Sequence, residues 1–137
     1  MDITIAQAQA VIEAARARAS ALGVPAVISV IDGGCHLKAF QRMDGAPLGS
    51  IDIALGKART AALFACNSED VWEYCKPGAP APGLELSNGG LMTFAGGMSF
   101  KSSGGAVIGA IGVSGGAVAQ DQEIALAGAA AFATHQQ

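Results

Sequence analysis

Between His36 and Ala62 the chain reads "HLKAFQRMDGAPLGSIDIALGKARTAA", and it gathers His36, Arg42, Asp44, Lys57 and Arg59 there although charged residues are only 14% of the total. Arg42 and Lys57 form a natural anion clamp: a planar guanidinium fork and a point charge together suit a carboxylate. Asp44 can hold either cation in place. His36 has the side chain for general acid–base chemistry near neutral pH, or for ligating iron. Asp121, far along the chain, is a further proton carrier. The same charges also make sense as an ion-pair network pinning a strand to a helix, with His36 in a structural role. Both readings stay open at this level.

The elements that must position these groups follow from periodicity. Thr4-Ile5-Ala6-Gln7 has the spacing of a capping box. Ala8, Val11, Ile12, Ala15 and Ala19 then recur at helical spacing up to Gly23, with Arg16 and Arg18 as solvated surface. "AVISVI", residues 26–31, reads as a buried strand. Asp32-Gly33-Gly34 is expected to supply the positive φ angles of a tight hairpin, and Cys35 to Met43 returns as the second strand. Strict alternation puts Cys35, Leu37, Ala39, Gln41 and Met43 on one face, and His36, Lys38, Phe40 and Arg42 on the other. Ser50 is expected to cap a helix running to about Cys66. Ile51, Ala54, Leu55, Ala58, Ala62 and Ala65 form its main apolar stripe. Ile53, Lys57, Thr60 and Phe64 form a second, so Lys57 and Thr60 should face a pocket or a subunit contact.

Residues 67–90 change composition, with Pro77, Pro80 and Pro82 and the only Trp and Tyr, Trp72 and Tyr74. Ser68 is a candidate cap for a short helix through Tyr74. A segment this long acts as a lid over a pocket or as a loop packed on a neighbouring subunit. The expected pocket is roofed by it, with Arg42 and Lys57 converging beneath. "LMTFAGGMSFKS" and "AVIGAIGVS" are two more strands, in which Gly96, Gly97, Gly109 and Gly112 imply close backbone approach or bulges. "AVAQDQEIALAGAAAF" closes the chain as a helix, with His135 in a fraying end. The resulting order is helix, hairpin, helix, loop, hairpin, helix. This is a single α+β domain over residues 1–137, one antiparallel sheet with helices packed on it.

Composition narrows the function. Apolar residues are 51% of 137, more than one small core requires, and a homo-oligomer follows as the expectation. A net charge of −3 with 5% aromatics gives no basic surface for nucleic acid. No apolar run is long enough for a membrane helix, and Met1-Asp2-Ile3-Thr4 lacks a leader pattern. Cys35, Cys66 and Cys75 contain no CxxC pair, which suits the cytoplasm. There is no Walker A loop or nucleophile elbow, and with His36 and His135 alone no zinc site of standard spacing.

"DGGCHLKAFQRMDGAPLGSIDIALGKARTAA" and "GAVIGAIGVSGGAVAQDQEIALAG" resemble the GlcG/HbpS-like family, which includes the C-terminal domain of PduO. The resemblance covers nearly the whole chain. It implies a profilin-like antiparallel sheet flanked by helices and assembly into dimers, tetramers or octamers. Some relatives bind haem; others sit among genes of organic-acid and aromatic catabolism. Matching the family residue by residue gives His36, Arg42, Asp44, Gly45, Ser50, Lys57, Thr60, Gly115 and Asp121. The chain departs at "AGGMSF", where relatives more often carry a proline and Ser99 stands here. Two functions are expected. In the first, a small carboxylate-bearing metabolite is isomerised, tautomerised or hydrolysed. Arg42, Lys57, Thr60, Gly97 and Gly115 bind it, and His36, Asp44 or Asp121 moves the proton. In the second, the chain binds haem or another tetrapyrrole without turnover. The first helix has no His, Cys or Tyr, so iron would take His36, a cysteine, a methionine or Tyr74.

Overall fold

The capping box at Thr4 is formed. In the computed structural model, which describes residues 2–135, Thr4 N donates to Gln7 Oε1 at 2.9 Å and Gln7 N donates to Thr4 Oγ1 at 3.1 Å. Met1, part of the stretch without a leader pattern, lies outside the described residues. Helix α1 runs Ile5–Leu22 and stops at Gly23, whose φ of 71° is the left-handed turn-off that glycine adopts freely. Its buried residues, Ala8, Val11, Ile12, Ala15 and Ala19, are the stripe that the spacing predicts.

Strand β1 (Val27–Asp32) and strand β2 (Leu37–Arg42) form the first hairpin, and β3 (Gly97–Lys101) and β4 (Val107–Ser114) the second. They combine into a four-stranded antiparallel sheet of order β2-β1-β4-β3. Helix α4 (Val118–Thr134) packs beside α1 on one face of the sheet, and helix α2 (Ser50–Phe64) covers the other. This is the expected α+β architecture. Because β1 is covered on both sides, it reads as a nearly unbroken apolar run. Ile28 and Val30 join Ile111, Val113, Val11 and Ile124 in the core under α1 and α4, where Phe100 stacks on Phe132 at 4.5 Å. Ile31 packs with Ala58, Ala61 and Ala110 on the α2 side.

The two faces differ in how closely a helix approaches. A Cβ on Gly112 would lie 1.9 Å from the carbonyl oxygen of Ala54. Helix α2 therefore rests on the backbone of β4, with Ser29 Oγ donating to the Ala54 carbonyl at 3.0 Å.

Several local expectations are corrected. The hairpin takes its positive φ at Cys35 (67°), not at Gly33 or Gly34. Cys35 N donates to Asp32 O and Asp32 N to His36 O, the pattern of a three-residue loop with a bulge residue. Register moves from Val30↔Ala39 to Ile31↔Leu37, so Lys38 is an extra residue. Ala39 and Met43 pack under α1 and α4, whereas Cys35 packs on the α2 side. The single alternating stripe is thus broken in two. The cap of α2 is Gly49 rather than Ser50, whose hydroxyl instead accepts from Ser114 Oγ at 3.1 Å. Ala65, expected on the main stripe, is the exposed left-handed end of the helix. Strand β3 starts only at Gly97, leaving Leu91–Phe94 as coil. His135 is tied down: its N–H donates to the Ala131 and Phe132 carbonyls, and its own carbonyl accepts from Gln7 Nε2 at 3.2 Å.

Candidate functional site

Lys57 is wholly buried, the largest side chain among the described residues to be so. Helix α2 carries it to the end of β4, where Nζ donates to the Val113 carbonyl at 2.8 Å and to Asp121 Oδ2 at 3.2 Å. Asp121, in the first turn of α4 and also buried, accepts the Gly116 N–H at 2.9 Å through its other oxygen. The Phe94 ring, itself partly exposed, lies 4.7 Å from Nζ and closes the remaining side. Burial pushes the Lys57 ammonium below its ordinary 10.5, and the Asp121 carboxylate pulls it back. The pair bridges the helix on one face of the sheet to a helix on the other.

The backbone makes room for this amine. A Cβ on Gly96 would come within 2.8 Å of Lys57 Nζ, and one on Gly97 within 2.3 Å of the Lys57 carbonyl oxygen. Gly115 turns the corner from β4 to α4, where a Cβ would meet the Pro25 carbonyl at 2.5 Å. Thr60, one turn along α2, donates to the Gly56 carbonyl at 2.8 Å and accepts from Met92 N at 2.9 Å. So Asp121 and Gly97 meet Lys57 at the middle of α2, Thr60 lies one turn further along the helix, and Gly115 is the neighbour of the Gly116 N–H that Asp121 accepts. The second stripe of α2 is covered at Lys57 and Thr60 by the chain's own loop, and these two residues need no second subunit to bury them.

The other expected residues stand apart. Arg42 is exposed at the end of the outer strand, and Asp44 is exposed in the turn after it. Asp121, not Asp44, is the carboxylate on Lys57, and the clamp expected of Arg42 with Lys57 is not formed. The His36 side chain is 82% exposed on the hairpin, with Nδ1 3.3 Å from Asp32 Oδ1. Asp32 accepts the N–H groups of His36 and Gly34, both at 2.9 Å, and the His36 N–H above all holds its carboxyl below the usual range. Ser68, expected to cap a short helix, serves the loop instead. Its buried hydroxyl donates to the Phe94 carbonyl at 2.6 Å and accepts from Gly97 N at 2.9 Å, while Asn67 occupies the cap position. Phe94 was missed, since nothing local marks a ring above a lysine 37 residues away in sequence.

The 67–90 segment is pinned to α2, with Arg59 Nη2 donating to the Asn88 carbonyl at 3.2 Å. It contains one turn of 3₁₀ helix (Ser68–Val71), a short helix α3 (Trp72–Cys75) and a second 3₁₀ turn (Leu84–Leu86). Between these and the end of α2 lies a cavity of about 340 Å³ lined by Phe64, Cys66, Asp70, Val71, Tyr74 and Leu84. Its walls are mainly apolar, and Cys66 and Tyr74 bring a sulfur and a phenol to it. Burial pushes the Cys66 thiol above its ordinary 9.0. Cys75 points elsewhere, its thiol donating to the Val71 carbonyl. Among the described residues no helix is long and apolar enough to cross a membrane.

The family model described as "Haem degrading protein HbpS-like" matches residues 3–130. The chain is 41% identical over 124 residues to the "Uncharacterized 15.0 kDa protein in dhaT-dhaS intergenic region" of Citrobacter freundii, covering 90% of this chain and 87% of that protein. It is 35% identical over 139 residues to the corrinoid adenosyltransferase PduO of Citrobacter freundii; the match takes in 99% of this chain but only 41% of that protein. Among solved structures, the PduOC:heme complex superposes with a TM-score of 0.90 at 34% identity, over 96% of this chain and 95% of that one.

Proposed function

The chain belongs to the HbpS-like family, and from that premise we propose that it binds haem or a related tetrapyrrole. The observation that carries this reading is the fold shared with a haem complex over 96% of the chain. The cavity beside α3 fits such a group in its chemistry: Phe64, Val71 and Leu84 give apolar walls, and Tyr74 and Cys66 are of types that ligate haem iron. Because burial raises the Cys66 thiol and disfavours thiolate, Tyr74 is the first candidate for the iron and Cys66 the second. A bound haem would supply iron-centred redox or ligand-binding chemistry; the chain's part would be to shield the group from water and to hold its position.

Titration of the purified protein with haemin tests this. A saturable Soret band is expected, shifted in Tyr74→Phe and little changed in His36→Ala. A response in His36→Ala alone would move the iron to the hairpin, and absence of saturation would overturn the reading.

A second reading keeps a small carboxylate-bearing metabolite as ligand. It is supported by the meeting of Lys57, Asp121 and Gly97 at the middle of α2, with Thr60 one turn away and Arg42, His36 and Asp44 exposed on the outer strand and its turns. Calorimetry with small organic acids tests it: binding that weakens by about 1.5–3 kcal/mol in Lys57→Met, the usual worth of a hydrogen bond to a charge, is the outcome it requires. Assembly into a homo-oligomer fits the exposure of Leu48 (72%) and Leu86 (80%). A light-scattering mass of 13.6 kDa would overturn that part.

A further inference from the structure

Strand β2 is the last strand on its side of the sheet. Met43 N donates to the Ala26 carbonyl, and the register pairs Arg42 with Val27 and Phe40 with Ser29. Gln41 and Ala39 therefore bond inward to β1, while Phe40 and Arg42 direct their N–H and C=O groups out to the free edge. Beside that edge, between β2 and α1, runs a groove of about 600 Å³ whose walls include Gln9, Ile12, Glu13, Lys38, Phe40 and Gln41. Gln41, one of those walls, holds an Oε1 that is cut off from solvent and has no hydrogen-bond partner. A buried acceptor left unmade costs free energy, so its occurrence beside a groove asks what donor meets it there.

We propose that this groove receives an extended acidic peptide, which adds to β2 as a fifth strand. The outward backbone groups of Phe40 and Arg42 supply the ladder, α1 walls the far side, and a turn of the Gln41 amide toward the groove gives its Oε1 one further N–H from the incoming segment. Charge selects the partner. Lys38 and Arg42 mark the edge as cationic, and among the described residues no ion pair engages either. Glu13, the acidic residue of the groove, is already paired with Arg16. A second copy of β2 lying antiparallel about Phe40 would set Lys38 against Arg42 twice, and like charges directly across a ladder are disfavoured. Carboxylates opposite those two positions reverse the sign. A lysine on an edge strand is also a guard against aggregation. That role accounts for the charge but not for the groove or the orphan acceptor.

The test uses the whole protein and a fluorescein-labelled heptapeptide of alternating Glu and Val, with a Lys/Val peptide as control. Saturable anisotropy is expected for the acidic peptide and none for the basic one, with slowed amide exchange at Phe40 and Arg42. The exposed double substitution Lys38→Glu, Arg42→Glu should weaken binding about tenfold, two cross-strand pairs' worth. Equal binding of both peptides, protection outside β2, or no saturation at millimolar peptide overturns the proposal. The outcome is independent of haem, whose cavity is lined by none of these residues.

Discussion

Replacing Lys57 by Met keeps the stem packed but leaves the Asp121 carboxylate buried with only the Gly116 N–H to meet it. Stripping one member from a buried pair costs about 3–5 kcal/mol. Urea unfolding of Lys57→Met should show a loss of that order, and Lys57→Met with Asp121→Leu should recover much of it. Equal losses in the single and double variants would mean that the pair contributes through packing alone. Asp32 carries a pH signature of opposite origin. Its carboxyl lies below its ordinary 3.8, chiefly through the His36 N–H, so its contribution is complete above that value and fades as pH falls through the folded one. Asp32→Asn should therefore be less stable than the parent at neutral pH, with the gap closing below pH 3.8. That Lys57 faces inward was legible, because it shares a helical stripe with Ile53 and Phe64. Its partner was not, since Asp121 is 64 residues away and only the closed sheet brings α4 to it. Ser68 reads locally as a helix cap, and the tertiary bonds to Phe94 and Gly97 take it instead.

At the scale of elements, Gly112, the second glycine of β4, sets how α2 docks. Gly112→Ala would drive a methyl into the Ala54 carbonyl at 1.9 Å and the Ala58 N at 2.7 Å, both backbone atoms that cannot rotate aside. Overpacking of this kind costs about 1–3 kcal/mol, and the upper end is expected here because a whole helix must shift. Thermal unfolding checks it; an unchanged midpoint would show that α2 is not seated as described. The helices were legible because caps and stripes are local signals. The bulge at Lys38 was not, because an outer strand with both faces half-exposed gives alternation little to anchor it. The late start of β3 was hidden for a related reason. Leu91–Phe94 is as apolar as a strand, yet Met92 and Phe94 are drawn to Thr60 and Lys57.

For the molecule as a whole, β1 and β4 form the inner pair of the sheet, covered on both faces, whereas β2 and β3 are its rims. Amide exchange should accordingly be slowest in Ile28–Ile31 and Ile108–Val113 and fastest along β2, which hydrogen-exchange mass spectrometry can resolve. Uniform protection across all four strands would contradict that layering. The stitch between Gln7 Nε2 and the His135 carbonyl has a further consequence. It brings the first turn of α1 and the last turn of α4 side by side, so the described backbone is nearly a ring. The order in which the elements are synthesised is then separable from the way they pack. In a polypeptide cut to the described residues, joining these ends through a short glycine linker and reopening the chain between the exposed Pro82 and Gly83 leaves all four strands and all three long helices intact. The permuted polypeptide should keep the parent's circular dichroism and unfold in one cooperative step.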